Sequence, residues 1–177
     1  MGAHDPFVLS NTALLNIESG WRGINVDLDS RYVDRLREAR PDDISVCCAI
    51  GAADGEIEAV IFEEGAFNTI DADRQARFTA TKSSGERRIV PVRTIPSLLD
   101  EYLPAGQEIG FLNLDVEGVD FAALNANDWK QYRPKVIAVE THAFDLHNPK
   151  GNDVFNLLVS QGYRLRAQML VTSIFSL

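Results

Sequence analysis

Apolar runs of four to eight residues alternate with stretches of helical spacing along the whole chain, and three of those runs stop on a carboxylate. This rhythm constrains the fold more than any single residue does. Strands buried on both faces and returned by helices form βαβ units, which build a mainly parallel α/β sheet. Between Ser10 or Asn11 as N-cap and Gly20 as the stop, Leu14, Leu15 and Ile17 share one helix face. Residues 22–27 then read as a strand ending on Asp27, and Ser30 caps a helix carrying Tyr32, Val33 and Leu36 until Pro41. Residues 44–50 form a β-branched strand, and residues 51–55 a turn. Residues 56–62 alternate Ile57, Ala59 and Ile61 with polar neighbours, as a half-exposed strand does. No convincing period runs through 63–93.

The second half is more regular. Thr94 and Pro96 open a helix through Leu98, Leu99 and Tyr102. Residues 109–115 are a buried strand running into acids, 119–124 a helix, 135–140 another strand with an acidic end, and 153–161 a helix closed by Gly162. Residues 163–167 and 170–175 are close enough to pair antiparallel. With no repeat and no linker, residues 1–177 read as a single domain.

In open parallel sheets, ligands bind beyond the carboxyl ends of the strands. The strand ends here carry Asp27, then Asp115 and Glu117, then Glu140 and His142, all expected on one rim. Each acid alone reads as an N-cap for the next helix; three strands ending alike read as a site. The opening Gly2-Ala3-His4-Asp5-Pro6, followed by Ser10-Asn11-Thr12 and a helix, has the form of a loop that lets a ligand approach backbone amides. Asp27 follows about two dozen residues later, where a carboxylate accepts both hydroxyls of a ribose. The pair points to a nucleoside-containing cofactor.

Charge narrows the partners. Seventeen Lys and Arg against 26 Asp and Glu leave a formal charge of −9, which argues against nucleic acid and anionic membranes and for a small-molecule or saccharide partner. No apolar run is long enough to span a bilayer, and residues 1–20 lack the pattern of a signal peptide. Cys47 and Cys48, the only cysteines, read as buried reduced thiols, and the expected location is cytoplasmic. Against the acidic background, Arg74, Arg77, Lys82, Arg87, Arg88 and Arg93 face one acid, Glu86. That window reads as a solvated loop or hairpin, or as a flap meeting an anionic ligand.

The Gly2–Pro6 and Ser10–Thr12 segments, the block Gly20-Trp21-Arg22-Gly23-Ile24-Asn25-Val26-Asp27, Arg40-Pro41, Leu112-Asn113-Leu114-Asp115-Val116-Glu117-Gly118, Arg133-Pro134 and Val139-Glu140 resemble the FkbM family of S-adenosylmethionine-dependent methyltransferases. The resemblance implies a Rossmann-like class I methyltransferase sheet with a C-terminal antiparallel hairpin. It places a first central strand before Gly2, so the domain reads as N-terminally truncated, with upstream residues or a partner chain filling that slot. It also implies S-adenosyl-L-methionine as cofactor, bound by Gly2, Ala3, Asn11, Asp27, Ala49, Ile50 and Asp115. Asp27 would hold the ribose, and Ala49 and Ile50 would flank the adenine. His4-Asp5-Pro6 departs from the usual small or glycine-containing form of that loop.

The activity so implied is O-methylation of a hydroxyl on a saccharide or secondary metabolite, with Asp115, Glu117, Glu140 and His142 on the acceptor side and His142 or Asp115 as general base. The same acids could instead give Mg²⁺ hard oxygen ligands if the backbone turns to let them converge. A non-catalytic, methyltransferase-like binding module is the alternative from another class, and nothing matches a complete nicotinamide fingerprint. His147 reads as a loop residue, Trp21 and Trp129 as packing residues, and an oligomer is compatible with the sequence.

Overall fold

The computed structural model describes residues 1–62, 68–73, 75–76 and 85–177. Its elements are α1 (Ala13–Ser19), β1 (Ile24–Asp27), α2 (Ser30–Ala39), β2 (Ile44–Cys47), β3 (Ala49–Ile50), β4 (Gly55–Ile61), β5 (Glu86–Arg93), α3 (Ile95–Tyr102), β6 (Phe111–Leu114), α4 (Asp120–Asn125), β7 (Val136–Glu140), α5 (Asp153–Ser160), β8 (Arg164–Met169) and β9 (Thr172–Ser176). Among the described residues the fold is mixed α/β without a barrel, its strands grouped as β1-β2, β3-β5-β4 and β6-β7-β9-β8.

Parallel pairing joins β1 to β2, β3 to β5 and β6 to β7, whereas β4 with β5, β7 with β9 and β8 with β9 are antiparallel. Pairing among the described strands is therefore mixed rather than mainly parallel. The difference comes from β5, an eight-residue strand inside the stretch that shows no period. Its Ile89 is exposed, and Pro91, which lacks an N–H, sits where β3 is too short to need one. The alternation expected for β4 also fails: Ala59, Val60, Ile61 and Phe62 are all buried. The run 44–50 is split at Cys48, so that β2 serves β1 and β3 serves β5.

The first three residues join two of the strand groups. The Met1 amino group donates to the Asn113 carbonyl at 2.8 Å, Asp115 N–H donates to the Met1 carbonyl at 3.2 Å, and Ala3 N–H donates to the Val26 carbonyl at 3.0 Å. Met1–Ala3 thus lies between the carboxyl ends of β1 and β6, bonded to both.

Helix boundaries follow local chemistry. Thr94 caps α3 by accepting from Ser97 N–H at 3.2 Å, and Asn152 caps α5 by accepting from Phe155 N–H at 3.0 Å. Asp29, not Ser30, caps α2, its buried carboxylate accepting from Arg31 N–H at 3.0 Å. Thr12, not Ser10 or Asn11, precedes α1, and Gly20 at φ 67° ends it. The apolar face expected on α1 does not enter the core, since Leu14 and Ile17 are exposed. The main core gathers Val26, Leu98, Leu114, Leu124, Ile137, Leu158 and Phe175, and a smaller one gathers Ala49, Ala59, Ile61, Val90 and Val92. Each fully buried Leu or Ile contributes about 1.5–3 kcal/mol. Among the described residues, no helix is long and apolar enough to cross a membrane.

Candidate functional site

Asp27 closes β1 and is buried. Its Oδ1 accepts from Asp29 N–H at 2.9 Å and its Oδ2 from His4 N–H at 2.8 Å. Burial raises its pKa above the usual aspartate value despite these donors. A carboxylate has about four acceptor positions, so two are left for hydroxyl donors from a ligand. Opposite it, residues 2–4 cross from the end of β6 to the end of β1. Gly2 makes this crossing at φ 68°, and a Cβ there would overlap the Asp115 carbonyl oxygen. Only glycine fits both demands. Ala49 and Ile50 are buried on β3 and line the same cavity as Gly2, Ala3 and Asp27. Asn11 is exposed at the cavity margin, its amide donating to Asn113 Oδ1 at 2.9 Å.

The acids after β6 are brought together by a turn. Glu117 has φ 53° and Gly118 φ 106°, and Thr69 Oγ1 donates to the Glu117 carbonyl at 2.8 Å. The strand therefore does not continue past Leu114. The chain folds back, and carboxylate oxygens of Asp115, Glu117 and Glu140 lie within 4.8 Å of one another. The convergence needed for a hard cation is thus present in the geometry, although exposed acids also gather without one.

Beneath this turn lies Asp120, which no sequence motif singles out. Its carboxylate accepts from Val116 N–H at 3.0 Å and Gly118 N–H at 3.2 Å, fixing the turn that carries Glu117. Burial, with Asp115 and Glu140 adding like charge, pushes its pKa up to about 6. The only sequence signal was an acid in the first turn of α4, which is also the commonest place for a structural acid.

His142 stands farther out. It is exposed, its Nε2 lies 2.8 Å from Glu140 Oε2, and neither residue lines the cavity. The expected single rim is therefore two-tiered: Asp27, Asp115 and Glu117 on the cavity wall, Glu140 and His142 outside it.

The cavity has a volume of about 990 Å³, enough for a drug-sized or nucleoside-sized molecule. Cys48 is buried in its wall with its thiol pushed up to about 12 by burial, and both cysteines are free. Cys47 is only half-buried, a correction to the expectation for that thiol. Trp129 packs edge-on against Tyr163 with ring centroids 5.7 Å apart, as a core residue does. Trp21 is instead 45% exposed and lines the cavity, so it is not simply a packing residue. His147 is an exposed loop residue whose N–H donates to Asp145 Oδ1 at 2.8 Å.

Of the basic window, Arg74, Arg77 and Lys82 lie outside the described residues. Arg87, Arg88 and Arg93 sit on β5 and pair with Glu58, Glu86 and Glu101 respectively. This part is a charge-paired strand rather than a flap presenting bare cations.

The family model described as the methyltransferase FkbM domain matches residues 1–165. No curated protein and no solved structure matches the chain.

Proposed function

Because the chain belongs to the FkbM methyltransferase family, we propose that it transfers the methyl group of S-adenosyl-L-methionine to a hydroxyl oxygen of a saccharide or secondary metabolite. One observation carries the reading: a single cavity has Asp27, with two acceptor positions left, on the β1 wall and Asp115 and Glu117 at the end of β6. That donor set suits the cofactor. Asp27 would take the ribose hydroxyls, Ala49 and Ile50 would lie against the adenine, and the backbone of Gly2 and Ala3 would lie beside its methionine portion with Asp115. When bound, the cofactor supplies a sulfonium-activated methyl group, and the chain's own groups do the rest.

Those groups must hold an acceptor oxygen in line at about 3 Å and remove its proton. On the cavity wall, Asp115 and Glu117 would accept hydrogen bonds from acceptor hydroxyls. His142 Nε2 lies 2.8 Å from Glu140 Oε2, so Nδ1 would be the atom that accepts the proton. It is exposed and stands outside the cavity wall, so it would have to meet a bulky acceptor such as a saccharide from there.

Isothermal titration with S-adenosylmethionine and turnover assays over a panel of saccharide and polyol acceptors test the reading. Asp27→Ala should lose both cofactor binding and turnover, by at least about 100-fold in affinity for two lost charged hydrogen bonds. His142→Ala should bind cofactor as wild type does and lose turnover. Wild-type protein with no measurable cofactor binding would return the chain to the class of non-catalytic binding modules, and unchanged turnover in His142→Ala would remove that residue from the mechanism. The convergence of Asp115, Glu117 and Glu140 favours a second reading of the acids, as a Mg²⁺ site. Full activity in excess chelator would exclude it.

A further inference from the structure

Residues 68–70, between β4 and β5, link the two walls of the cavity. On the β1 side, the buried Asn68 donates from Nδ2 to Asp29 Oδ2 at 3.1 Å and accepts at Oδ1 from Phe62 N–H at 2.7 Å. On the β6 side, the fully buried Thr69 donates from Oγ1 to the Glu117 carbonyl at 2.8 Å. Asn68 and Ile70 line the cavity. We propose that Thr69 is a positioning residue for Glu117, fixing the peptide that sets where this carboxylate meets the acceptor. The inference rests on the proposed methyl transfer, in which Glu117 binds acceptor hydroxyls.

The peptide group between Glu117 and Gly118 is gripped at both ends. Its carbonyl accepts from Thr69, and its N–H donates to Asp120 Oδ2 at 3.2 Å. A peptide group turns as one rigid plane, so holding both ends fixes the Glu117 ψ and the Gly118 φ together. Glu117 itself stands at φ 53°, a left-handed conformation that a residue with a Cβ leaves when it is free to do so.

The two grips differ in kind. Asp120 belongs to α4, the helix that follows the turn, and moves with it. Thr69 is anchored elsewhere, by an antiparallel bridge to Val60 of β4 and by Gln75 Nε2, which donates to its carbonyl at 3.1 Å. A hydroxyl has one proton to donate. Asp71 N–H donates to Thr69 Oγ1 at 3.0 Å, which leaves that proton for Glu117. Glu117 is thus held in place against a second, independent element. Valine at 69 would fill nearly the same space and turn a methyl toward the Glu117 carbonyl, whereas serine would keep the hydroxyl.

The test compares Thr69→Val and Thr69→Ser with wild type, using Thr69→Ala should the valine variant not fold. It measures kcat/KM on an acceptor that wild type methylates, cofactor affinity by isothermal titration, and amide exchange of Gly118 relative to Leu98, which lies in the core of α3. Thr69→Val should lower kcat/KM at least about tenfold and speed Gly118 exchange at least about tenfold relative to Leu98, with cofactor affinity within about twofold of wild type. Thr69→Ser should stay within about threefold of wild type in all three. In a Glu117→Gln background, Thr69→Val should cost no more than about twofold further, because it acts through that carboxylate. Tyr163→Phe, which loses a buried bond away from the site, should lower Tm and leave kcat/KM unchanged. Unchanged kcat/KM in Thr69→Val, an equal loss in Thr69→Ser, an undiminished loss in the Glu117→Gln background, or Gly118 exchange that tracks Leu98 would overturn the proposal. Wild type that binds no cofactor and methylates no acceptor strikes the proposed function instead, and Gly118 exchange alone then decides whether Thr69 holds the turn.

Discussion

Replacing Asp120 by Asn probes the buried carboxylate that shapes the acidic turn. In the folded chain its pKa is pushed up to about 6, against an ordinary value of 3.8. A folded state that keeps its proton to higher pH than the unfolded chain is favoured at low pH. Its stability falls as pH rises from the unfolded to the folded pKa, and the loss is complete above about 6. The interval from 3.8 to about 6 corresponds to about 3 kcal/mol. Asn cannot ionise, so Asp120→Asn lacks this component. It also keeps only one oxygen for the N–H groups of Val116 and Gly118, a constant penalty of about 1–2 kcal/mol. Urea unfolding of both proteins at pH 4, 5, 6 and 7 separates the two effects. Wild-type stability minus variant stability should fall by about 2–3 kcal/mol between pH 4 and 7. A difference that stays flat over that range would show that Asp120 titrates as an ordinary aspartate, and the burial argument for the turn would fail.

Gly2→Ala puts a Cβ onto the Asp115 carbonyl at a left-handed φ, and should cost at least about 2–3 kcal/mol in urea unfolding; a change under about 0.5 kcal/mol would mean that residues 1–3 are not held between β1 and β6. Tyr163→Phe removes the buried hydroxyl that donates to the Pro134 carbonyl at 2.6 Å. The expected loss is about 1–2 kcal/mol, measured the same way, and an unaltered midpoint would count against that bond.

The two strands that deliver the acids were legible because their chemistry is local. Residues 111–114 and 136–140 are short apolar runs, each stopping where a carboxylate begins, and the final hairpin announced itself by proximity. Strand β5 was not legible, because its exposed arginines and Pro91 make sense only beside Glu58 and the short β3. The site was half legible for the same reason. Asp27, Asp115, Glu117 and Glu140 lie at strand ends, where the topology alone nominates them. Asp120 and the φ of Glu117 matter through a turn whose shape no spacing rule encodes. Asp29 shows the limit at a single residue: Ser30 is the better-known cap, yet the carboxylate one position earlier also meets the Arg31 side chain at 2.6 Å and Asn68 Nδ2 at 3.1 Å.

Strand β9 lies between β7 and β8, pairing Thr172 with Glu140 and Ser176 with Val136. Order of synthesis then becomes part of how the acidic rim is made. At about 5–20 residues per second, β7 waits roughly 2–7 s for the strand that covers its free edge. During that interval Val136–Glu140 is an apolar edge open to the wrong partner, and Glu140 has no fixed neighbour in residues 172–176. The rim is therefore among the last features of the molecule to be assembled. Slow folding or aggregation of the nascent chain should begin at β7, well away from any substitution that weakens the cofactor end.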